Sequence, residues 1–239
     1  MCGRYSLTTP IEGVRELFGI DALPNLAARY NIAPTQPVVV IRKGDARPRE
    51  LTHMRWGLVP AWAKEMASGP LLINARADTV AEKPSFRNAF RRRRCLIPAD
   101  GFYEWQPRPA GPKQPMRIAL PGNALFAFAG IWETWQTAEG SELDSCAIVT
   151  TDASPSIRAI HGRMPVILKP ADYDTWMGGE MRDECAAAAT LMQPYGGELV
   201  AYPVSREVNS VRNDGPALWM EVEAGAPPEP PKGEQLDLL

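Results

Sequence analysis

The run Arg94-Cys95-Leu96-Ile97-Pro98-Ala99-Asp100-Gly101-Phe102-Tyr103-Glu104-Trp105 sets an apolar segment against an aromatic one across Asp100-Gly101. Residues 94–97 read as a strand, and the proline- and glycine-bearing residues after it read as a turn. The second half holds Glu104, a carboxylate between Tyr103 and Trp105. Facing inward, it would be desolvated and its pKa raised toward use as a general acid. Facing outward, it would be an ordinary member of an alternating strand. Both orientations stand on sequence alone.

Outward from this run the chain stays strand-rich. Residues 38–42, 51–56, 116–120, 125–129 and 146–151 form further apolar runs bounded by turn residues, and most neighbours are expected to pair antiparallel. Thr9-Pro10 reads as an N-cap followed by proline at the first helical position, with Val14, Leu17 and Phe18 giving a short apolar face that stops at Gly19. Ser154-Pro155 predicts a second helix running to His161, and 170–177 and 182–192 predict two more.

Three polar positions interrupt this pattern. Asn74 and Arg76 break the apolar run Leu71-Leu72-Ile73-Asn74-Ala75-Arg76, which suggests a site. His161 precedes Gly162-Arg163-Met164-Pro165, where a lone histidine serves as a cap, a core residue or a proton carrier. The chain opens Met1-Cys2-Gly3-Arg4, and removal of Met1 would leave an amine and a thiol on one residue. An amine of pKa about 7.7–8.0 is partly neutral near neutral pH and can attack an aldehyde. Sulfur addition to the resulting imine closes a five-membered thiazolidine, a ring that Ser or Thr closes far less stably.

Composition narrows the remaining classes. A chain of 239 residues with 45% hydrophobic content supports one domain, and no run approaches a membrane span or a secretory leader. A cytoplasmic protein, monomeric and free of membrane, is expected. Cys2, Cys95, Cys146 and Cys185 are scattered, with no Cys-x-x-Cys pair and only His53 and His161 as histidines. Neither a metal site nor a disulfide framework fits that spacing, and no cofactor is expected. Residues 221–239 carry a net charge of minus 4 within a chain total of minus 2, so the body is plus 2. That is too weak for a generic duplex coat. Arg76, Arg87 and the run Arg91 to Arg94 nevertheless concentrate positive charge enough for a local anionic ligand. Most of the run is read as a solvated helix end.

Taken together, these segments resemble the SOS response-associated peptidase (SRAP) family of abasic-site crosslinking proteins. The likeness runs through Met1-Cys2-Gly3-Arg4-Tyr5, Arg29-Tyr30-Asn31-Ile32-Ala33-Pro34-Thr35, Trp56-Gly57-Leu58-Val59-Pro60-Ala61-Trp62 and Asn74-Ala75-Arg76-Ala77-Asp78-Thr79. It continues through Arg94 to Trp105, Phe128-Ala129-Gly130-Ile131-Trp132-Glu133 and His161-Gly162-Arg163-Met164-Pro165-Val166. Val204-Ser205, Val208-Asn209 and Asn213-Asp214 complete it. Asp78 stands where the pattern leads one to expect glutamate, and the arginine run before Cys95 is longer than usual.

The resemblance implies an α+β fold, a largely antiparallel, β-barrel-like structure with peripheral helices, over residues 1–222. It implies a partner in single-stranded or junction DNA containing abasic sites, with a thiazolidine crosslink formed through Cys2. Glu104 would shuttle protons, His161 would assist sugar-ring opening and reversal, and Asn74 would orient Cys2. The same residues would support self-removal of Met1, with a housekeeping aminopeptidase as an equal candidate, and β-elimination would be a side activity. Arg4, Arg76 and Arg163 are the matching phosphate contacts, with Pro34, Trp62 and Thr150 near the flanking nucleotides. Two rival classes are an N-terminal nucleophile amidohydrolase of the glutamine amidotransferase type, which also begins Cys-Gly, and a non-catalytic single-stranded DNA-binding module.

Residues 223–239 read as a disordered, proline-rich acidic tail. Its last residues, Gln235, Leu236, Asp237, Leu238 and Leu239, resemble the peptide by which proteins bind the bacterial sliding clamp at the replication fork.

Overall fold

The computed structural model describes residues 2–21, 26–44, 48–66, 69–137 and 139–224. The tail residues Gln235 to Leu239 lie outside them. Elements in chain order are β1 (Tyr5–Leu7), α1 (Ile11–Phe18), β2 (Arg29–Ile32), β3 (Pro37–Arg42), β4 (Glu50–Trp56), β5 (Asn74–Arg76), α2 (Arg87–Arg92) and β6 (Arg94–Ala99). There follow β7 (Gly101–Gln106), β8 (Gln114–Ala119), β9 (Phe126–Gln136), β10 (Glu142–Asp152), β11 (Arg163–Pro165), β12 (Ile167–Leu168), α3 (Tyr173–Trp176), α4 (Arg182–Thr190) and β13 (Val200–Pro203).

Strands β10, β4, β3, β6 and β9 pair in that order, and β9 pairs back onto β10, so the sheet closes into a barrel. Closure removes the open edges that a flat sheet would expose. The fold is α+β, as the resemblance implies. Short strands β5 and β11 add to β10, and β12 adds to β9. Nearly all pairings are antiparallel, with β10 running parallel to β4 and β5. The second sheet, ordered β13-β8-β7-β1-β2, packs Tyr5 edge-on against Trp56 and Phe128, with ring centroids at 5.2 and 5.7 Å. The expected strands are present, and β1, β2, β5, β7 and β13 join them.

One corner joins the two sheets. The chain leaves the barrel at the end of β6, turns at Asp100 and enters β7 in the second sheet. Gly101 is required there because a Cβ would lie 2.7 Å from Nη2 of the buried Arg117. Asp100 is buried and accepts from Ser6 Oγ at 2.7 Å, Thr8 N at 2.5 Å and Thr9 N at 3.1 Å. Those bonds fix the far end of β1.

Two sequence expectations need correction, and a third holds with one exception. Thr9 does not cap α1: Pro10 holds that position without a side-chain cap, because the Thr9 amide and hydroxyl are turned to Asp100. Gly19 ends the helix as expected, in the left-handed conformation at φ 62°. Residues 154–161 form separate turns rather than a helix, with bonds from Ile157 N to Ser154 O and from His161 N to Ile157 O. Asp152 pairs with Arg163, and Ala153 N donates to Gly162 O, so the segment must close a tight loop between β10 and β11. The arginine run is mostly the solvated helix end expected, with Arg91 and Arg92 exposed in the last turn of α2 and Arg93 at its C-cap, and Arg94 is the exception. Arg94 is buried and donates to the carbonyls of Phe90, Arg91, Trp176, Gly178 and Gly179. Arg92 pairs with Glu180, and Arg93 with Glu133.

Asp100→Ala strands several donors at the corner and is expected to lower unfolding stability by about 2–4 kcal/mol. Urea denaturation checks this, and a loss below about 0.5 kcal/mol would show that the corner does not depend on the carboxylate.

Candidate active site at the leading cysteine

Strand β1 lies between β2 and β7, and this carries residues 2–4 into the interior. Tyr5 pairs with Phe102, and Tyr103 N donates to Arg4 O at 3.0 Å, so the chain before β1 runs beside Glu104. Cys2 is fully buried. Its Sγ lies 3.6 Å from Arg4 O, and its carbonyl accepts from Asn74 Nδ2 at 2.9 Å. Asn74 heads β5, which β10 holds through the Ile148–Asn74 pair. Its Oδ1 is buried and makes no hydrogen bond among the described residues.

The twofold alternation of β7 settles which way Glu104 faces. Phe102 belongs to the main core, whereas Tyr103 packs with Val204, Val208 and Leu218 on the opposite side. Glu104 shares the face of Phe102 and is only 3% exposed. Burial raises its pKa above the ordinary glutamate value, and the charge of His161 acts in the opposite direction. Burial likewise raises the Cys2 thiol, and the charge of Glu104 adds to the effect. His161 Nδ1 lies 3.0 Å from both the amide nitrogen and the carbonyl oxygen of Arg163. The ring can thus accept from the amide when neutral and donate to the carbonyl when protonated. Cys2 from the segment before β1, Asn74 from β5, Glu104 from β7 and His161 from the loop after β10 therefore meet at one locus, where Cys2 and Glu104 are buried and Asn74 and His161 half-buried.

Adjacent strands line the approach. Arg76 on β5 is exposed, and its guanidinium grips Asp78 through Nε at 3.0 Å and through Nη2. That pairing holds the Asp78 carboxyl down at about 2. Arg163 donates to Thr150 O at 2.6 Å and Thr150 Oγ1 at 3.0 Å. Burial, then the nearby Arg76 charge, lowers the Arg163 pKa. Thr150 is fully buried, so its place is behind Arg163 rather than on the surface. Trp62 is 64% exposed, which rules out core packing, and Pro34 is half-buried.

Arg4 is already engaged within the fold. It donates to Asn31 Oδ1 at 2.9 Å, Val208 O at 2.6 Å and Asn209 O at 3.3 Å, and its burial lowers its pKa. Asn31 in turn donates to Val208, Ser210 and Asn213, while Asp214 accepts from the Tyr30 and Asn31 amides. Sequence reasoning gave Asn31 and Asp214 no role. The available signal was an amide inside the strand-like Tyr30-Asn31-Ile32, whose partners lie about 180 positions away.

The chain matches the family model described as SOS response associated peptidase (SRAP) over residues 1–211. It is 43% identical over 222 residues to the abasic site processing protein YoqW of Bacillus subtilis (strain 168), covering 91% of this chain and 98% of that protein. It is 36% identical over 232 residues to the abasic site processing protein HMCES of Gallus gallus, covering 84% of this chain and 68% of that one. A crystal structure of a protein from Bacteroides thetaiotaomicron superposes with a TM-score of 0.81 at 26% identity, covering 93% of this chain and all of that one.

A raised carboxyl pKa destabilises the fold as pH rises. Between the unfolded and folded pKa values of Glu104 the native state binds more protons, so stability present below the unfolded value is lost as pH climbs through the folded one. Glu104→Gln removes that titration. Its Tm relative to the wild type is expected to rise as pH climbs from about 4 through the folded pKa of Glu104, and a difference that falls over this range would show that the carboxyl is not raised.

Proposed function

Because this chain belongs to the SOS response-associated peptidase family, we propose that it captures abasic sites in single-stranded DNA as a covalent thiazolidine on Cys2. What supports the reading is a fully buried Cys2 tethered by Asn74 and placed beside a desolvated carboxyl. Two of its relatives are named abasic site processing proteins.

The chemistry begins when Met1 leaves and the Cys2 nitrogen becomes a primary amine. That nitrogen attacks the C1′ aldehyde of the ring-opened sugar, giving a carbinolamine. Glu104, whose pKa burial raises, donates a proton to the departing hydroxyl, and water leaves as the imine forms. The thiol sulfur then bonds to the same carbon while its proton passes to the nitrogen, closing the ring. His161 assists sugar-ring opening and the reverse reaction, its ring oriented by the Arg163 backbone at Nδ1. The Asn74 amide fixes the Cys2 carbonyl and so the direction of its amine. An imine that fails to close acidifies the neighbouring sugar carbon, and strand cleavage by β-elimination follows. Self-removal of Met1 draws on the same residues, with Glu104 as the proton carrier.

Arg76 and Arg163 serve the phosphates on either side, and Trp62 offers an exposed face for a flanking base, worth about 1–3 kcal/mol of stacking. Arg4, engaged by Asn31, contributes mainly by fixing the strand that presents Cys2. The terminal Gln235-Leu236-Asp237-Leu238-Leu239 is proposed as a tether to the bacterial sliding clamp. Deleting these residues is expected to abolish clamp binding measured by surface plasmon resonance, and unchanged affinity would end that idea.

Incubation with abasic single-stranded DNA is expected to give a heat-stable conjugate whose mass is the sum of the partners less one water. Glu104→Gln should slow its formation by about 10²-fold or more. Cys2→Ala should lose the heat-stable product while keeping an imine that borohydride traps. A Cys2→Ala protein that still gives the heat-stable conjugate would overturn the mechanism, as would a purified chain that retains Met1.

A further inference from the structure

An open cleft of about 620 Å³ lies away from the four residues at Cys2, between α2 and the start of α4. Arg87, Arg91 and Arg182 line it, with Ala81, Glu180 and Cys185. Arg87 and Arg91 are one helical turn apart and so share a face of α2. The other members of the arginine run have partners, Arg92 on Glu180, Arg93 on Glu133 and Arg94 on buried carbonyls. Among the described residues no hydrogen bond or ion pair engages the side chains of Arg87, Arg91 or Arg182. The one carboxylate in the lining, Glu180, is already paired with Arg92 at 2.8 Å. Three guanidinium groups thus converge on one cleft with their charge uncompensated.

The cleft is also connected along the chain to the approach to Cys2. The chain leaves β5 at Arg76, passes Ala81 and Pro84, and enters α2 at Arg87. The exposed Trp62 leans on this connection, its Nε1 lying 3.5 Å from Pro84 O. The segment from Arg76 to Arg87, against which Trp62 rests, thus links the approach to Cys2 with the cleft. Guanidinium forks suit phosphate oxygens, and single-stranded DNA carries one phosphate per nucleotide.

We propose that Arg87, Arg91 and Arg182 form a second phosphodiester-binding site, which takes the strand flanking the abasic position beyond the reach of Arg76 and Arg163. This rests on the DNA-capture reading above. The site lengthens the footprint and holds the DNA without taking part in the reaction at Cys2.

The test uses two single strands carrying a tetrahydrofuran abasic analogue, which lacks the aldehyde, so binding is read independently of covalent capture. One strand is long, and the other is trimmed to the nucleotides adjoining the abasic position. The full-length protein is compared with its Arg87→Gln, Arg91→Gln, Arg182→Gln variant by fluorescence anisotropy across a salt series. For the long strand the slope of log affinity against log salt is expected to fall by roughly 2 in magnitude, at about 0.7 per phosphate released from contact. The short strand should bind both proteins alike. The long strand should also slow alkylation of Cys185 in the wild type, because that thiol sits in the cleft and is the one cysteine of the described residues that is not fully buried.

An unchanged slope with the long strand, or Cys185 alkylation indifferent to it, would overturn the proposal. If the long strand binds with the arginine-dependent slope while true abasic DNA gives no conjugate, covalent capture falls and this site stands.

Discussion

Asp100 accepts hydrogen bonds from Ser6, Thr8 and Thr9 at the corner where β6 gives way to β7. Through them the first strand is pinned between β2 and β7, and the second residue of the chain is delivered to the interior. Chain ends ordinarily fray, because they lose conformational entropy on ordering and gain few contacts in return. Here the end is held from two directions. Asp100 fixes the C-terminal side of β1, while Asn74 and the Arg4–Asn31–Val208 bonds fix the N-terminal side. A reacting group at a terminus needs such restraint, since a nucleophile free to wander loses the advantage of fixed orientation.

The barrel supplies the other half of the site. Its closing pair, β9 and β10, makes β10 a rigid rail on which β5 and β11 ride, and these strands carry Asn74, Arg76 and Arg163. Register then sets the spacing among them: Thr150 stands opposite both Arg76 and Pro165, and Asp152 opposite Arg163. Asp78 and Asp152 hold the two arginines extended while only partly cancelling their charge. Such pairs at the surface contribute little stability, which leaves the guanidiniums available for exchange onto an anion of higher charge density. In contrast, buried Arg94 and Arg117 are enclosed by carbonyls and aromatic rings and serve the architecture.

Several features were legible in the linear chain. Apolar runs bounded by proline and glycine located most strands of the barrel, because strand patterning is local. The helix ending at Gly19 was legible for the same reason. The segment 154–161 was not, because its conformation is imposed by the closure of β10 onto β11 and not by its own propensities. Thr9 misled for a related reason: a distant carboxylate at Asp100 outcompetes the helix for its hydroxyl.

The sequence by itself determined the chemical inventory: a cysteine one residue from the start, an amide and a guanidinium interrupting an apolar run, a carboxylate among aromatics, and a cluster of arginines. Residue identity and order suffice for that, since nucleophilicity and charge are properties of side chains. Only the tertiary structure decided that Glu104 faces the core, that Thr150 lies behind Arg163, and that the arginine run divides into paired, buried and uncompensated members. Burial and pairing depend on contacts between segments far apart in the chain. Desolvation, which raises the pKa of an ordinary carboxylate, arises only when those segments meet.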